Sequence, residues 1–237
     1  MESFVNRYKA GEHEQVWTEL LALGESIREE PLFSEAYAVA YETMQRVRTN
    51  IELLIPRLQS INYEFGVYPD GSQLDDYSEV HIQPAPNVKS KIDVLEELVG
   101  AIPLSLRVFW EVVGSVVFIG YHPEWSDDSD PLVVDPFDWV AVEYEEWKEN
   151  CEDYGLEEVG PFAMPIAPDN YHKNNVSGGP PYSIIVPNKA IDAKLENEWH
   201  TTTFVNYLRI CFRHGGFPGR GSLPINLVEL TRDLLPI

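Results

Sequence analysis

The sequence predicts an α+β fold in which a mixed, largely antiparallel sheet is flanked by helices and preceded by an N-terminal helical hairpin. Two observations predict this class. Apolar side chains recur at helical spacing through most of residues 12–59, which is typical of amphipathic helices. Short apolar runs such as 116–119 and 182–186 are bounded by Gly, Pro, Asn and Asp, as expected of short buried strands.

Residues 1–68 are predicted to form the hairpin, with helices over 12–29 and from about Glu35 to Gln59. Pro56 lies inside the second apolar pattern and is expected to kink that helix or end it early, because proline lacks the N–H that the helix needs. A short strand is predicted within 61–68. The hairpin accounts for all of the strong helical periodicity in this part of the chain.

Residues 69–89 are rich in Pro, Asp and Gly, which favour turns. This segment is predicted to be a linker, and residues 90–237 are predicted to form an α+β domain. The first elements of that domain are helices over 90–99 and 103–113, strands over 116–119 and 139–142, and an acidic helix over 143–153.

The rest of the domain is less regular. The segment 160–181 contains Gly-Gly-Pro-Pro and is predicted to be irregular. Beyond it the pattern predicts strands over 182–186 and 191–195 and helices over 201–213 and 227–235.

Net charge excludes some partners. The chain has 17 basic and 39 acidic residues and a formal charge of −22. Such a charge disfavours nucleic acid and anionic membrane surfaces, which need positive charge. No apolar run approaches the roughly 18–20 residues of a membrane span, and the N-terminus lacks the apolar segment of a signal peptide. We therefore expect a cytoplasmic protein.

No metal or cofactor site is predicted. The two cysteines, Cys151 and Cys211, are too few for a disulfide framework, and the histidines lack the paired spacing of a zinc site. The cluster Asp127, Asp128 and Asp130 has Pro and Leu where a calcium loop needs a ligand and a glycine.

The segment 102–139 orders its features in a distinctive way: a Pro-led helix ending in E-x-x-G, a strand, an acidic loop with a Trp, and then Asp-Pro-Leu. This order resembles the Smi1/Knr4 (SUKH) superfamily. The matching residues are Pro103, Phe109, Glu111, Gly114, Phe118, Gly120, Trp125, Asp130, Pro131 and Leu132. Many members are bacterial immunity proteins or regulators that bind other proteins. The resemblance implies a protein-binding module whose partner is a toxin or a regulatory protein, and it carries over no catalytic residue.

The residues themselves indicate where such a partner would bind. Between residues 124 and 158 there are fourteen acidic residues and one basic residue, Lys148. Aromatic side chains rimmed by charge are typical of protein interfaces. The predicted site for a basic protein consists of Trp125, Asp127, Asp128, Asp130, Glu143, Glu146, Trp147 and Glu149. The alternative is that Trp147 belongs to the buried face of its helix and the glutamates only to its wet face.

A second hypothesis is a small-molecule-binding or hydrolytic enzyme. Its ligand loop would consist of Asn174, Asn175, Ser177, Gly178 and Gly179, whose amides could bind a ligand, although these are also ordinary turn residues. Ser177 would need His200 and Asp192 for hydrolysis, but it does not lie in the Gly-x-Ser-x-Gly pattern of a nucleophile elbow. A structural subunit without a ligand is the third hypothesis.

Overall fold

The computed structural model describes residues 3–75, 79–125, 129–219 and 227–237. Within these ranges the α-helices are α1 (Phe4–Lys9), α2 (His13–Ala22), α3 (Leu32–Ser60), α4 (Val88–Val99), α5 (Leu104–Val112), α6 (Val140–Tyr154), α7 (Leu156–Val159), α8 (Phe204–Arg213) and α9 (Leu227–Thr231). The strands are β1 (Glu64–Phe65), β2 (His81–Ile82), β3 (Ser115–Val117), β4 (Gly120–Tyr121), β5 (Val133–Val134), β6 (Ala163–Ala167) and β7 (Tyr182–Ile185).

The predicted α+β class is confirmed, and the strands are arranged as three small sheets. Their strand orders are β1-β4, β2-β3-β5 and β6-β7. Every pairing between these strands is antiparallel. Helices cover the sheets, and α5, which is buried along nearly its whole length, packs against α3.

The N-terminal helices pack through apolar faces, as their periodicity predicts. The long helix α3 buries a stripe that includes Val39, Met44 and Ile51. The Trp17 indole donates a hydrogen bond to the Thr43 hydroxyl over 3.1 Å, which joins α2 to α3. Of the two outcomes expected at Pro56, an early end does not occur, because α3 continues through it to Ser60. Pro56 is exposed, so water can reach the backbone carbonyl that loses its intrahelical partner.

The segment 69–89, predicted to be a linker, contains β2. His81 and Ile82 pair with Val116 and Ser115 of β3, so this part of the segment belongs to the central sheet. Buried side chains from α2 and α3 and from the chain after residue 90 also form one hydrophobic cluster. The division of the chain into domains at 69–89 stays a prediction.

Three local predictions were wrong. The predicted strand over 139–142 is instead a 3-10 helix over Phe137–Trp139 that continues into α6. The segment 160–181, predicted to be irregular, contains β6. Pro165 is tolerated there because the pairing with β7 has a register shift after it, and such a bulge does not need its missing N–H. Residues 191–195 form only an isolated bridge, between Lys194 and Thr203.

Candidate functional site

The inward face of the acidic helix α6 holds it on β6. Tyr144 and Trp147 stack with ring centres 5.3 Å apart, and Trp147 lies 5.6 Å from the Phe162 ring. The Trp147 indole donates a hydrogen bond of 3.1 Å to the Gly160 carbonyl oxygen. Trp147, predicted as a partner-binding residue, is therefore half-buried and engaged in packing, as the alternative interpretation held.

The outward face of α6 and the short helix α7 carries the charge. The predicted residues Glu143, Glu146 and Glu149 are all exposed. Their spacing of three residues places them along one side of the helix. The other exposed carboxylates of this surface are Glu145, Glu152, Asp153, Glu157 and Glu158. Lys148 forms an ion pair with Glu145, at 2.9 Å, and within the described part of the chain the other carboxylates of this surface form none.

Apolar side chains stand exposed beside these carboxylates, and the sequence pattern did not single them out. Trp139 is 64% exposed, Val142 65%, Tyr154 70% and Leu156 58%. Helical spacing could have identified Val142 as exposed. Residues 140, 144, 147 and 151 form the inward face of the helix, and Val142 lies off that face. An apolar side chain on the wet face of an otherwise acidic helix is a candidate contact residue.

A groove separates α6 from α4. Its volume is about 590 Å³, and its walls include Val94, Leu98 and Ala141. Val94 is 64% exposed and Leu98 is 36% exposed, while the inward face of α4 is formed by Val88, Ile92, Leu95 and Val99. The groove is thus an apolar channel open to solvent along the acidic helix.

Trp125 is not an exposed anchor. Its ring lies 4.9 Å from Tyr63, 4.6 Å from Phe217 and 5.1 Å from His122. It packs against the core as a partly buried side chain. This placement differs from that of an exposed anchor, and the role of Trp125 in partner binding stays a prediction. Asp127 and Asp128, the neighbouring predicted site residues, lie outside the described residues.

Asp130 also departs from the predicted acidic surface. Its carboxylate is fully buried and accepts hydrogen bonds from the Lys173 ammonium at 2.6 Å and the Tyr182 hydroxyl at 3.0 Å. The Lys173 side chain is equally buried. Burial and the Asp130 charge raise the pKa of Tyr182 well above its ordinary value. A buried charge needs a partner of opposite sign, and Asp130 is therefore structural and unavailable to an external partner.

Lys173 ties the acidic stretch to the predicted ligand loop, which follows it directly. Within that loop the Asn174 amide donates to the Asn170 carbonyl at 2.8 Å. The Asn175 amide donates to the Asp70 carboxylate at 3.1 Å. Ser177, Gly178 and Gly179 are exposed. The structure therefore brings the loop close to residues 70–72, far away in sequence.

Asp169 organises the same loop from within. Its carboxylate accepts hydrogen bonds from the His172 backbone N–H at 3.0 Å and the Gly179 N–H at 2.7 Å, and it lies 2.6 Å from Nδ1 of His172. A Cβ added to Gly178 would lie 2.6 Å from both carboxylate oxygens of Asp169. Burial acts to raise the pKa of Asp169, but the hydrogen bonds from His172 and Gly179 outweigh it, so the pKa lies below its ordinary value. The loop is held by side chains instead of by a sheet.

The loop lines a large cleft. This cleft has a volume of about 820 Å³. Ser177 and Asn175 lie on one side and Glu143 of α6 on another, with β3 and β5 between them. The structure thus places the weaker of the two predicted sites next to the start of the acidic helix.

Asp135 lines this cleft and was not predicted as a site residue. Its backbone N–H donates to the Ile166 carbonyl at 2.8 Å, and its carbonyl accepts from the Trp110 indole at 3.0 Å. Its carboxylate accepts no hydrogen bond from the described residues. Burial raises its pKa to about 6, which the Lys173 charge offsets only in part. A carboxyl group with such a raised pKa in a cleft marks a candidate site.

The residues of the hydrolytic hypothesis are not joined into a catalytic set. His200 Nδ1 lies 2.5 Å from Glu198, and Asp192 is buried, where it accepts hydrogen bonds from Ser105 and the Val205 N–H. The nearest acid–base pair in the ligand loop is Asp169–His172. Within the described ranges Ser177 Oγ makes no hydrogen bond to a histidine.

The cysteines offer no reactive thiol on geometric grounds. Cys211 is fully buried, and burial raises the pKa of its thiol well above the ordinary value. Cys151 is partly buried on the inward side of α6. Among the described residues, no group of three or more His, Cys, Asp or Glu side chains is arranged to hold a metal ion.

None of the helices in the described part of the chain combines the length and apolar character needed to cross a membrane. Comparison with family models, curated proteins and solved structures finds no match to this chain. The resemblance to the Smi1/Knr4 superfamily therefore stays a prediction that rests on the ten residues given above.

Proposed function

We propose that this chain is a cytoplasmic, non-enzymatic protein-binding module of the Smi1/Knr4 type that binds a basic protein, either a toxin or a regulatory partner. One observation carries the proposal. The helices α6 and α7 expose eight carboxylates next to four exposed apolar side chains. Charge alone would serve solubility, but an apolar contact surface inside a charged rim is the anatomy of an interface.

The groove between α4 and α6 gives this interface its shape. Val94 and Leu98 are one helical turn apart on α4, and Ala141 faces them from α6. Glu97 and Glu145 are exposed at helical spacing from these side chains. Such a groove suits an amphipathic helix. Its charged lining residues are one base and one acid, Lys91 and Asp138, 3.9 Å apart. The exposed carboxylates beyond this pair favour a helix with Lys or Arg flanking its apolar stripe.

The charge has a kinetic role in this proposal. A surface of one sign attracts an oppositely charged partner before contact and raises the association rate. Apolar anchors act after contact and mainly set the dissociation rate. Replacing Glu143, Glu146 and Glu149 with Gln should therefore slow association, whereas Val94→Asp should hasten dissociation.

The test uses a designed amphipathic helix of Lys and Leu and a matched helix of Glu and Leu. We expect the basic helix to bind and its affinity to fall by roughly tenfold or more as salt is raised from about 0.05 to 0.5 M, because exposed charges are then screened within a few ångströms. Val94→Asp should weaken binding, and Val228→Asp should not. Val228 is the matched control because it is 71% exposed on α9.

Two results would contradict the proposal. The first is equal binding of the basic and the acidic helix, because charge would then select nothing. The second is binding of the basic helix that Val94→Asp leaves intact, because the groove would then not be the site. Circular dichroism of each variant separates lost binding from lost folding.

A further inference from the structure

The large cleft has the size and floor of a small-molecule site. Its volume of about 820 Å³ lies within the range of roughly 300–1,000 Å³ that ligand pockets occupy. Val117 of β3, Val133 of β5 and Pro165 of β6 contribute apolar surface. Ile82 of β2, at its edge, is 44% exposed. A sheet face that is apolar yet open to water favours an apolar occupant.

The charged groups around the cleft are nearly all of one sign. Its carboxylates are Asp75, Glu79, Asp135 and Glu143. Of the described residues that line it, none is Lys or Arg. The one histidine, His172, is bonded to Asp169 through Nδ1. The occupant that this electrostatic environment favours is a cation.

Within the cleft, Asp135 is the carboxylate on which a cation would bind. The two backbone hydrogen bonds of this residue fix it between Ile166 and Trp110, and its carboxylate has no hydrogen-bond donor among the described residues. A partly buried carboxylate gains from an N–H donor of opposite charge, because charge-assisted hydrogen bonds are the strong ones. Trp139, 64% exposed at the rim, adds an aromatic face on which a cation or an apolar ring can rest.

We propose that this cleft binds an organic amine, with its ammonium group on the Asp135 carboxylate and its apolar body against Val117 and Pro165. Ser177 and Asn175 supply polar groups at the wall opposite Glu143. The site is separate from the groove between α4 and α6 and does not depend on the protein-binding proposal. A basic side chain of a protein partner has the same charge but far less volume than the cleft.

The test is calorimetric titration with three matched probes: phenethylamine, the neutral phenethyl alcohol and the anionic 3-phenylpropionate. We expect only the amine to bind measurably. Asp135→Asn should weaken its binding by about tenfold or more, since a charged hydrogen bond contributes roughly 1.5–3 kcal/mol. Asp233→Asn is the control, because Asp233 is exposed elsewhere and has a left-handed backbone that Asn also adopts.

A second pair of variants keeps the proposal testable if Asp135→Asn does not fold. Ile82 is exposed, so its replacement leaves the core intact. Ile82→Lys places a positive charge at the edge of the cleft and should abolish amine binding. Ile82→Gln, equally polar but neutral, should weaken it far less.

The pH dependence gives an independent readout. Protonation of Asp135 removes the counter-charge, so amine affinity should fall about tenfold between about pH 7 and pH 5 for a carboxyl whose pKa is about 6. Asp75, Glu79, Glu143 and His172 also face the cleft, and Lys173 lies behind it. The Asp135→Asn variant retains all of these groups and lacks only the Asp135 carboxyl. Its affinity for the amine should therefore lose the pH dependence that Asp135 causes.

Equal binding of the amine and the alcohol would overturn the proposal, and so would unchanged amine binding by Asp135→Asn. A competition experiment with penta-lysine gives a further outcome against the proposal. If penta-lysine displaces phenethylamine at a concentration at which it saturates the chain, the cation in the cleft belongs to a protein partner and not to a small molecule. Failure of the Lys–Leu helix to bind, with amine binding intact, would sink only the protein-binding function.

Discussion

Asp130 and the glutamates of α6 come from one acidic stretch of sequence and have opposite environments. Asp130 is fully buried against Lys173 and Tyr182. Glu143, Glu146 and Glu149 are exposed and bonded to no basic residue of the described chain. The Asp130 carboxylate stabilises the fold because the buried Lys173 ammonium would otherwise have no counter-charge. The others cost the fold little and remain available to an external partner.

Asp135 lies between these two extremes. It is partly buried like an interior residue but lacks a basic partner in contact with it, and its pKa is raised to about 6. The comparison shows that a run of acidic residues contains at least three kinds of carboxylate: buried and paired, exposed, and partly buried without a partner in contact. Each kind responds differently to substitution.

The largest expected effect comes from breaking the buried pair. Lys173→Met leaves the Asp130 carboxylate buried without its counter-charge, which typically costs about 3–5 kcal/mol. Urea unfolding at neutral pH measures the loss. The matched control is Lys148→Met, whose pair with Glu145 is exposed and should contribute less than about 1 kcal/mol. Equal losses in the two variants would remove the distinction between interior and surface pairs.

Crowding in the ligand loop gives the next effect. Gly178→Ala places a methyl group 2.6 Å from the Asp169 carboxylate and from Tyr171 Cβ, so the loop must shift, at a cost of about 2–3 kcal/mol. Gly179→Ala is the control, since its methyl group would meet Asp169 at 3.4 Å, an ordinary contact distance. Thermal unfolding compares the two variants, and similar melting temperatures would contradict the close approach at Gly178.

Asp135→Asn should stabilise the protein, and the gain should depend on pH. In the folded state the pKa of Asp135 rises from 3.8 to about 6, so the folded protein binds the proton more tightly than the unfolded chain. Its contribution to stability is therefore present at low pH and is lost as pH rises through about 6. Asn does not lose this contribution, so at pH 7 the variant should be more stable than the parent protein by about 2–3 kcal/mol, and the difference should vanish as pH falls below about 4.

Urea titrations of both proteins at several pH values measure this difference. A constant difference across the range would show that Asp135 titrates normally, and the third kind of carboxylate would then be absent. Asp138→Asn, at an exposed position, is the control variant.

The smallest effect on stability is expected from the surface of α6. Replacing Glu143, Glu146 and Glu149 with Gln should change the free energy of unfolding by less than about 0.5 kcal/mol per residue, because these side chains are exposed. Urea unfolding checks this, and high salt should reduce any gain because it screens the repulsion between them. A loss above 2 kcal/mol in the triple variant would show that these glutamates hold the fold.

Periodicity predicted the helices well because their apolar spacing is set by packing on one face. The buried stripe of α3 follows directly from the sequence. In α4 the spacing correctly predicts Ile92 and Leu95 as inward residues, but its prediction of Leu98 was wrong, because Leu98 is exposed and Val99 is buried instead. β6 was missed because its inward residues Met164 and Ile166 are interrupted by Pro165, and prolines count against a strand in any local rule. The residue that pairs with Pro165 is Ser183 of β7, eighteen residues further along the chain.

The site was only partly predictable for the same reason. Glu143, Glu146 and Glu149 are exposed as expected, since their helix shows its charge pattern locally. Asp130 could not be recognised as buried, because its partner Lys173 is distant in sequence and looks like any surface lysine. The residues next to Asp135 in the sequence do not distinguish it from Asp138. Only its position in the folded cleft does.

Trp139 makes the rim of the cleft visible to spectroscopy. Of the six tryptophans, Trp17 and Trp110 are each only 1% exposed, whereas Trp139 is 64% exposed. Its emission should lie at the red edge of the spectrum and be the first to be quenched from solution. Asp138 and Glu143 flank it along the chain, so caesium should collect around its ring and iodide should be driven away. The ratio of the two quenching constants would then report the local electrostatic potential without any label.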